Sequence, residues 1–266
     1  MIADRLGLFV DAIYGNPLRF SGLQCLAGSL GYTLQIYTDF AGYSYIAMGL
    51  AKLLGFNLIN NFARPYFSVS VTDFWRRWHI SLSRWLKDYV YIPLGGNRCS
   101  KARNYWNIFV TFLVSGVWHG ANWTFVVWGL LHGLAQIVEK FFGIQKCDSS
   151  YRWVRGLRIV LTFCLVSFLW ILFRSPSIGD AAFFVNRIFT AGGSADIIGI
   201  MSFTNFVSLA LALPILVFKD VRDEWQVGKW RFCDQAVVRW IAYLVLFAMV
   251  LNMGVFDGGQ FIYVSF

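Results

Sequence analysis

The sequence predicts an all-α, polytopic integral membrane protein, and three observations carry that prediction. Of its 266 residues 58% are hydrophobic and only 14% charged, where soluble domains carry about a quarter charged residues. Uncharged runs of fifteen to twenty-two residues recur along the chain, close to the roughly twenty that a helix needs to cross hydrocarbon. Twelve Trp and twelve Tyr suit the belts where amphipathic rings meet headgroups. No internal repeat, low-complexity tract or soluble segment interrupts the pattern, so residues 1–266 read as one membrane domain. The formal net charge is +9, which in a soluble protein would suggest nucleic acid. Here the basic residues gather in loops, where they set orientation and meet anionic lipid or acidic donors, so membrane lipid and not nucleic acid is the expected partner.

The first residues, MIADRLGLFVDAIYG, carry no basic segment ahead of a short apolar core and no small-residue cleavage pattern, and so are not a signal peptide. Phe20 to Thr38 is uncharged and predicts the first span. Asp39 follows, read as an interfacial anchor, and the short glycine-containing piece to Lys52 predicts a half-span or re-entrant segment. Asn60, Asn61 and Pro65 break the helix. Asp73 to Tyr91 then alternates aromatic and basic residues, predicting one surface-lying helix capped by Asp73, which ends at Pro93 and the Gly95, Gly96, Asn97 turn.

The apolar run from Asn104 to Val138 would be about 52 Å long as one helix. That is too long for one crossing, so a broken hairpin meeting near Gly116 to Asn122 is expected, with both flanking basic loops cytoplasmic. Ile159 to Phe173 predicts a span lengthened by snorkelling Arg158 and Arg174. Residues 175–196 read as an outer loop. Ile197 to Phe218 predicts a return with a kink at Pro214, Lys219 to Arg239 an inner loop, and Trp240 to Phe256 a last span, leaving the tail DGGQFIYVSF outside.

All three histidines, His79, His119 and His132, lie in the Trp75–His132 stretch. His119 stands about 22 Å of helix rise beyond Asn104, at membrane depth, where a titratable group is costly unless a partner or wet cavity receives it. It reads as a catalytic base, an interhelical hydrogen bonder or a residue of the kink. A buried imidazole stays neutral and can accept a proton from an attacking hydroxyl. His79, on the basic helix, would orient a donor or contact headgroups, and His132 is structural. The five cysteines at 25, 99, 147, 164 and 233 form no CxxC pair and no metal-ligand spacing, so no metal is expected. There is no Gly-rich phosphate loop, GxSxG elbow or HExxH.

FWRRWHISLSRWLKDYVYIPLGGNR followed by WHGANWTFVVWGLLHG resembles the membrane-bound O-acyltransferase family, in its bacterial branch that acetylates alginate and related exopolysaccharides. IADRLGLFVDAIYG, LQIYTDFAGYSYIAMGLAKLLGF and NFARPYF match in the same order. The resemblance implies a ring of spanning and re-entrant helices, thin at its centre, in which donor and acceptor approach from opposite faces. The family's catalytic histidine falls on His119 and its second motif histidine on His79. The terminal FIYVSF (residues 261–266) resembles a tail motif of envelope-polymer acylation systems, which makes Tyr263 an acyl relay; Val264 departs from the usual aromatic there, and an interfacial anchor is the alternative. Family members carry further helices before the IADRL stretch, so a partial ring is expected, either a truncated and inactive product or one completed by a second chain.

The resulting expectation is an O-acetyltransferase of the bacterial inner membrane with a periplasmic C-terminus. Its donor is acetyl-CoA or an acyl-carrier thioester, drawn to Arg84, Lys87, Arg98 and Lys101. His119 is the base, Tyr263 or a partner hydroxyl the acceptor. An SGNH-type periplasmic acetyltransferase would carry the acetyl group to the polysaccharide. The rivals are D-alanyl transfer from a carrier protein and a non-catalytic scaffold or acyl conduit.

Overall fold

Apolar runs interrupted by Asn, Gly and Pro give helices, and helices are the only regular structure among the described residues of the computed structural model, which are 2–144, 151–193, 196, 198–225 and 235–254. α1 (Ile2–Gly15) places Leu6, Phe9, Val10 and Ile13 at helical spacing and buries that face against α2 (Gly22–Leu53). α2 opens with a capping box: Ser21 Oγ accepts from Gln24 N, and Gln24 Oε1 accepts from Ser21 N at 2.9 Å. The break expected at Asp39 is absent. One carboxylate does not disturb the backbone ladder, and Phe40, Ala41 and Ser44 continue the buried face past it. Asp39 instead lines a cavity wall with Asp4 and Lys219.

The expected single helix over Asp73–Tyr91 is also corrected. It is two seven-residue helices, α3 (Val71–Arg77) and α4 (Ile80–Leu86), followed by a π-helical turn over Lys87–Tyr91. Ser70, not Asp73, caps α3, its hydroxyl accepting from Asp73 N at 3.0 Å. Trp78 is extended and His79 left-handed, with φ of 43°. This elbow turns Phe74, Trp75 and Trp78 inward, so Trp78 is 2% exposed and packs on Phe62, Phe74 and Trp170. A straight surface helix would have left those indoles at the headgroups. The preceding loop supplies the missing bonds, as Asn61 accepts from Ile80 N through its carbonyl and from Ser81 N through Oδ1, both at 3.1 Å.

The broken hairpin forms as expected, from α5 (Lys101–Trp118) and α6 (Trp123–Phe141), the latter capped by Asn122. The arms meet backbone to backbone. A Cβ on Gly116 would lie 2.5 Å from the Phe125 carbonyl oxygen, and one on Gly129 3.0 Å from the Gly116 backbone.

α7 (Arg152–Arg174) begins two turns earlier than the apolar run, because its arginines have partners: Arg155 bonds Glu224 and Arg158 bonds the Val69 carbonyl. The outer loop expected over 175–196 is in fact mostly α8 (Ile178–Thr190), capped by Ser177, with Ala181 and Phe184 buried and Phe184 stacked 4.1 Å from Tyr14. α9 (Phe203–Trp225) contains Pro214 and runs past Phe218, since Asp220 and Glu224 are anchored to Tyr37 and to three arginines. α10 (Ala236–Met253) begins four residues before the expected Trp240. The expected tail motif, residues 261–266, lies outside the described residues.

α7 and α9 are long and apolar enough to cross a membrane. α1, α2, α7, α6 and α5 pack in succession by neighbouring pairs, α8 lies on α2 and α7, α9 on α1, and α3 is docked on α6 and α7. The aromatic core sits where α2, α3, α6 and α7 converge.

Candidate active site

His119 caps the C-terminus of the first hairpin arm, its N–H bonded to the Gly116 carbonyl at 3.2 Å, and Gly120 follows with φ of +149°. The glycine lets the chain reverse where another residue would be strained, and the reversal aims the imidazole inward. The ring is 8% exposed. Trp118, Trp128 and Phe173 meet it edge to face at centroid distances of 5.0–5.1 Å. These contacts fix its plane, and among the described residues neither ring nitrogen has a hydrogen-bond partner. A lone pair held in place and left unpaired is what a general base requires.

His79 is brought to the same place by the α3–α4 elbow. Its ring packs 4.7 Å from Phe40 and 6.2 Å from Trp118, and its Nδ1 lies 3.3 Å from Ser81 Oγ. Both imidazoles thus pack on Trp118. Burial pushes the His79 imidazole down to about 4, so it is neutral at pH 7. His132 belongs elsewhere: it is fully buried on α6, and its Nδ1 accepts from Trp75 Nε1 at 3.2 Å. It ties α6 to α3, in keeping with a structural role.

Between α3, α4, α5 and α6 lies a cavity of about 500 Å³, which neither His79 nor His119 lines. Ser115, one turn before His119, lines it, and Arg76, Arg84, Lys87 and Lys140 give it a cationic wall. Arg84 and Lys87 therefore converge on one space. Arg98 and Lys101 are exposed on the following turn and at the start of α5 and do not line it. Tyr263 lies outside the described residues.

Two further residues that shape this site, Lys140 and Glu139, are not among the candidates the sequence offers. Lys140 lines the cavity and donates to Asn97 at 3.0 Å and to Asn104. Glu139 accepts from Val71 N, from Thr72 N at 3.0 Å and from Thr72 Oγ1 at 2.9 Å, so a carboxylate on α6 holds the start of α3. The available signal was a lone Glu–Lys pair closing a long apolar run.

Residues 2–173 match the MBOAT, membrane-bound O-acyltransferase family. The chain is 41% identical over 232 residues to the "Probable alginate O-acetylase AlgI" of Pseudomonas syringae pv. tomato, covering 85% of this chain and 43% of that protein. It is 40% identical over 181 residues to the "Peptidoglycan O-acetyltransferase" of Helicobacter pylori, covering 68% and 34% respectively. It is 33% identical over 156 residues to the "Teichoic acid D-alanyltransferase" of Bacillus subtilis, covering 54% and 39%. The chain spans about two fifths of the length of these relatives. Both histidines of the caged pair and every residue lining the cavity fall inside the matched region, and the chain belongs to the membrane-bound O-acyltransferase family.

Proposed function

We propose that this chain carries the transfer centre of a membrane O-acetyltransferase that modifies a cell-envelope or extracellular polysaccharide such as alginate. The observation that carries the reading is the His119 imidazole, without a hydrogen-bond partner among the described residues and held by three aromatic rings, one helical turn after Ser115 of a cationic cavity. In this reading a thioester donor, acetyl-CoA or an acyl-carrier thioester, enters from the cytoplasmic face. Arg84 and Lys87, joined by Arg76 and Lys140, receive its phosphate, while Arg98 and Lys101 attract it from outside the cavity. His119 takes the proton from the acceptor hydroxyl as the oxygen attacks the thioester carbonyl. The new C–O bond forms, the C–S bond breaks, and the imidazolium returns the proton to the leaving thiolate. His79, neutral and facing Trp118, orients the reacting centre.

The acceptor is Tyr263 or a hydroxyl of a partner. From there a periplasmic SGNH-type acetyltransferase carries the group to the polymer, with the protein in the inner membrane, its C-terminus periplasmic, and a second chain or segment completing the ring. Replacing His119 with Ala is expected to lower membrane-dependent O-acetylation at least a hundredfold, the lower end of what general-base catalysis contributes, about 10²–10⁴, at normal protein level. Unchanged polymer acetylation would remove His119 from the chemistry. The resemblance to the Bacillus subtilis protein favours one second reading, D-alanyl transfer from a carrier protein. Labelling of the membrane fraction by D-alanyl carrier and not by acetyl-CoA would select it.

A further inference from the structure

Glu224 lies near the end of α9, beyond residues 2–173 that match the family. Its side chain is 4% exposed and is held by three arginines from three elements. Oε2 accepts from Arg64 Nε at 2.9 Å and Arg77 Nη1 at 2.8 Å, and Oε1 from Arg155 Nη2 at 2.7 Å. Arg77 is also paired to Asp73 at 3.0 Å. Against the opposing effect of burial, the hydrogen bonds that Arg77 donates to Glu224 and Asp73 hold its guanidinium above its ordinary value.

Two of those arginines bear on backbone that needs holding. Among the described residues, Arg64 and His79 are the non-glycine residues with positive φ, at 53° and 43°. Such conformations persist only where their surroundings over-determine them. The surroundings here form one circuit. Glu224 grips Arg64 and Arg77, and the Arg77 carbonyl accepts from Ala63 N at 2.9 Å. Asn61 then binds Ile80 N and Ser81 N on the far side of His79. The carboxylate is one anchor of this circuit outside the loop and the elbow; the other is Ser44 Oγ on α2, which accepts from Asn61 Nδ2 at 3.4 Å.

We infer that Glu224 is a positioning residue for acyl transfer. It fixes the loop of residues 60–64 and the elbow at Trp78–His79, and so holds the His79 ring against Phe40 and Trp118. Through it α9, which contributes no lining to the donor cavity, reaches the transfer site. The inference rests on the reading of His119 as the base and of His79 as the residue that orients the reacting centre.

The test compares the full protein in native membranes or nanodiscs with its Glu224→Gln and Glu224→Asp variants, reading amide hydrogen exchange and transfer kinetics. In Glu224→Gln, exchange should rise in residues 60–64 and 79–83 and stay unchanged in α5 and α6. The kcat should fall tenfold or more with donor KM within twofold, and Glu224→Asp should recover part of both. Unchanged exchange with unchanged kcat overturns the inference. So does a rise spread equally over α5 and α6, which marks a merely structural residue. Should Glu224→Gln fail to accumulate, Arg64→Gln removes one arm of the clamp and is read by the same two outcomes. Exchange is independent of chemistry, so the two readings fail separately. Intact transfer in His119→Ala sinks the assignment of the base, whereas a silent Glu224→Gln beside an inactive His119→Ala sinks only the positioning role.

Discussion

At the scale of single residues, His79 combines two costs: a left-handed backbone, worth about 1–3 kcal/mol for a non-glycine residue, and a buried imidazole. The second has a measurable consequence. The folded-state value of about 4 lies below the ordinary value near 6.5, so between them the unfolded chain binds the proton and the folded chain does not. Stability from this residue is therefore fully present above about pH 6.5 and is lost as the pH falls towards 4. A melting temperature that drops between pH 7 and 5 is expected, with a shallower drop in His79→Gln, and equal slopes would contradict it. The candidate status of His79 and His119 was legible in the sequence, because imidazoles are conspicuous in a run without other charges. Their shared packing on Trp118 was not. It depends on an elbow whose left-handed residue is a histidine, a type that does not announce positive φ as glycine does.

At the scale of elements, the hairpin was legible and the elbow was not, for one reason. The hairpin break is written in local chemistry, a Gly116 to Asn122 stretch too polar and too glycine-rich to continue α5. The α3–α4 break is imposed from outside, by Asn61, Glu139 and the arginine clamp, and nothing between Asp73 and Tyr91 would stop a helix. α8 was missed for a related reason, since its short amphipathic run lies between Pro176 and paired glycines, which read as loop. α2 was divided because a lone aspartate looks like an end when buried neighbours are out of sight. The hairpin itself predicts an outcome. Gly116→Ala places a methyl group against the Phe125 carbonyl, a backbone atom that cannot swing aside, and overpacking of this kind costs about 1–3 kcal/mol. A lower thermal midpoint in detergent is expected, with loss of transfer in proportion to the α5–α6 displacement. An unaltered midpoint would mean the arms can separate.

At the scale of the whole molecule, the excess of positive charge is divided between two tasks. Arg64, Arg77 and Arg155 are consumed internally by Glu224, whereas Arg76, Arg84, Lys87 and Lys140 face the cavity. The formal charge of +9 could not distinguish these groups, because both come from the same basic segments. Substitution separates them. The double variant Arg84→Gln/Lys87→Gln is expected to raise donor KM about tenfold with kcat nearly unchanged and with a weaker dependence on ionic strength, since two exposed cations attract a phosphate by about 0.5–1 kcal/mol each. A fall in kcat at constant KM would instead put those cations at the reacting atoms. The class of the protein was legible from composition, and its family from motifs that cover most of the chain. The internal use of charge was not, because it depends on α9 folding back over loops more than a hundred residues away.

The meeting of Gly116 with Gly129 restricts how reactants travel. Two helices in backbone contact leave no width for an acyl chain between them, so the hairpin is a closed blade and not a gate. Under the proposed reading, cargo would pass around its edges, along the flank facing α3 and α4 or along the flank facing α7. If His119 at its tip is the proposed base, donor and acceptor would then arrive from opposite sides of the blade.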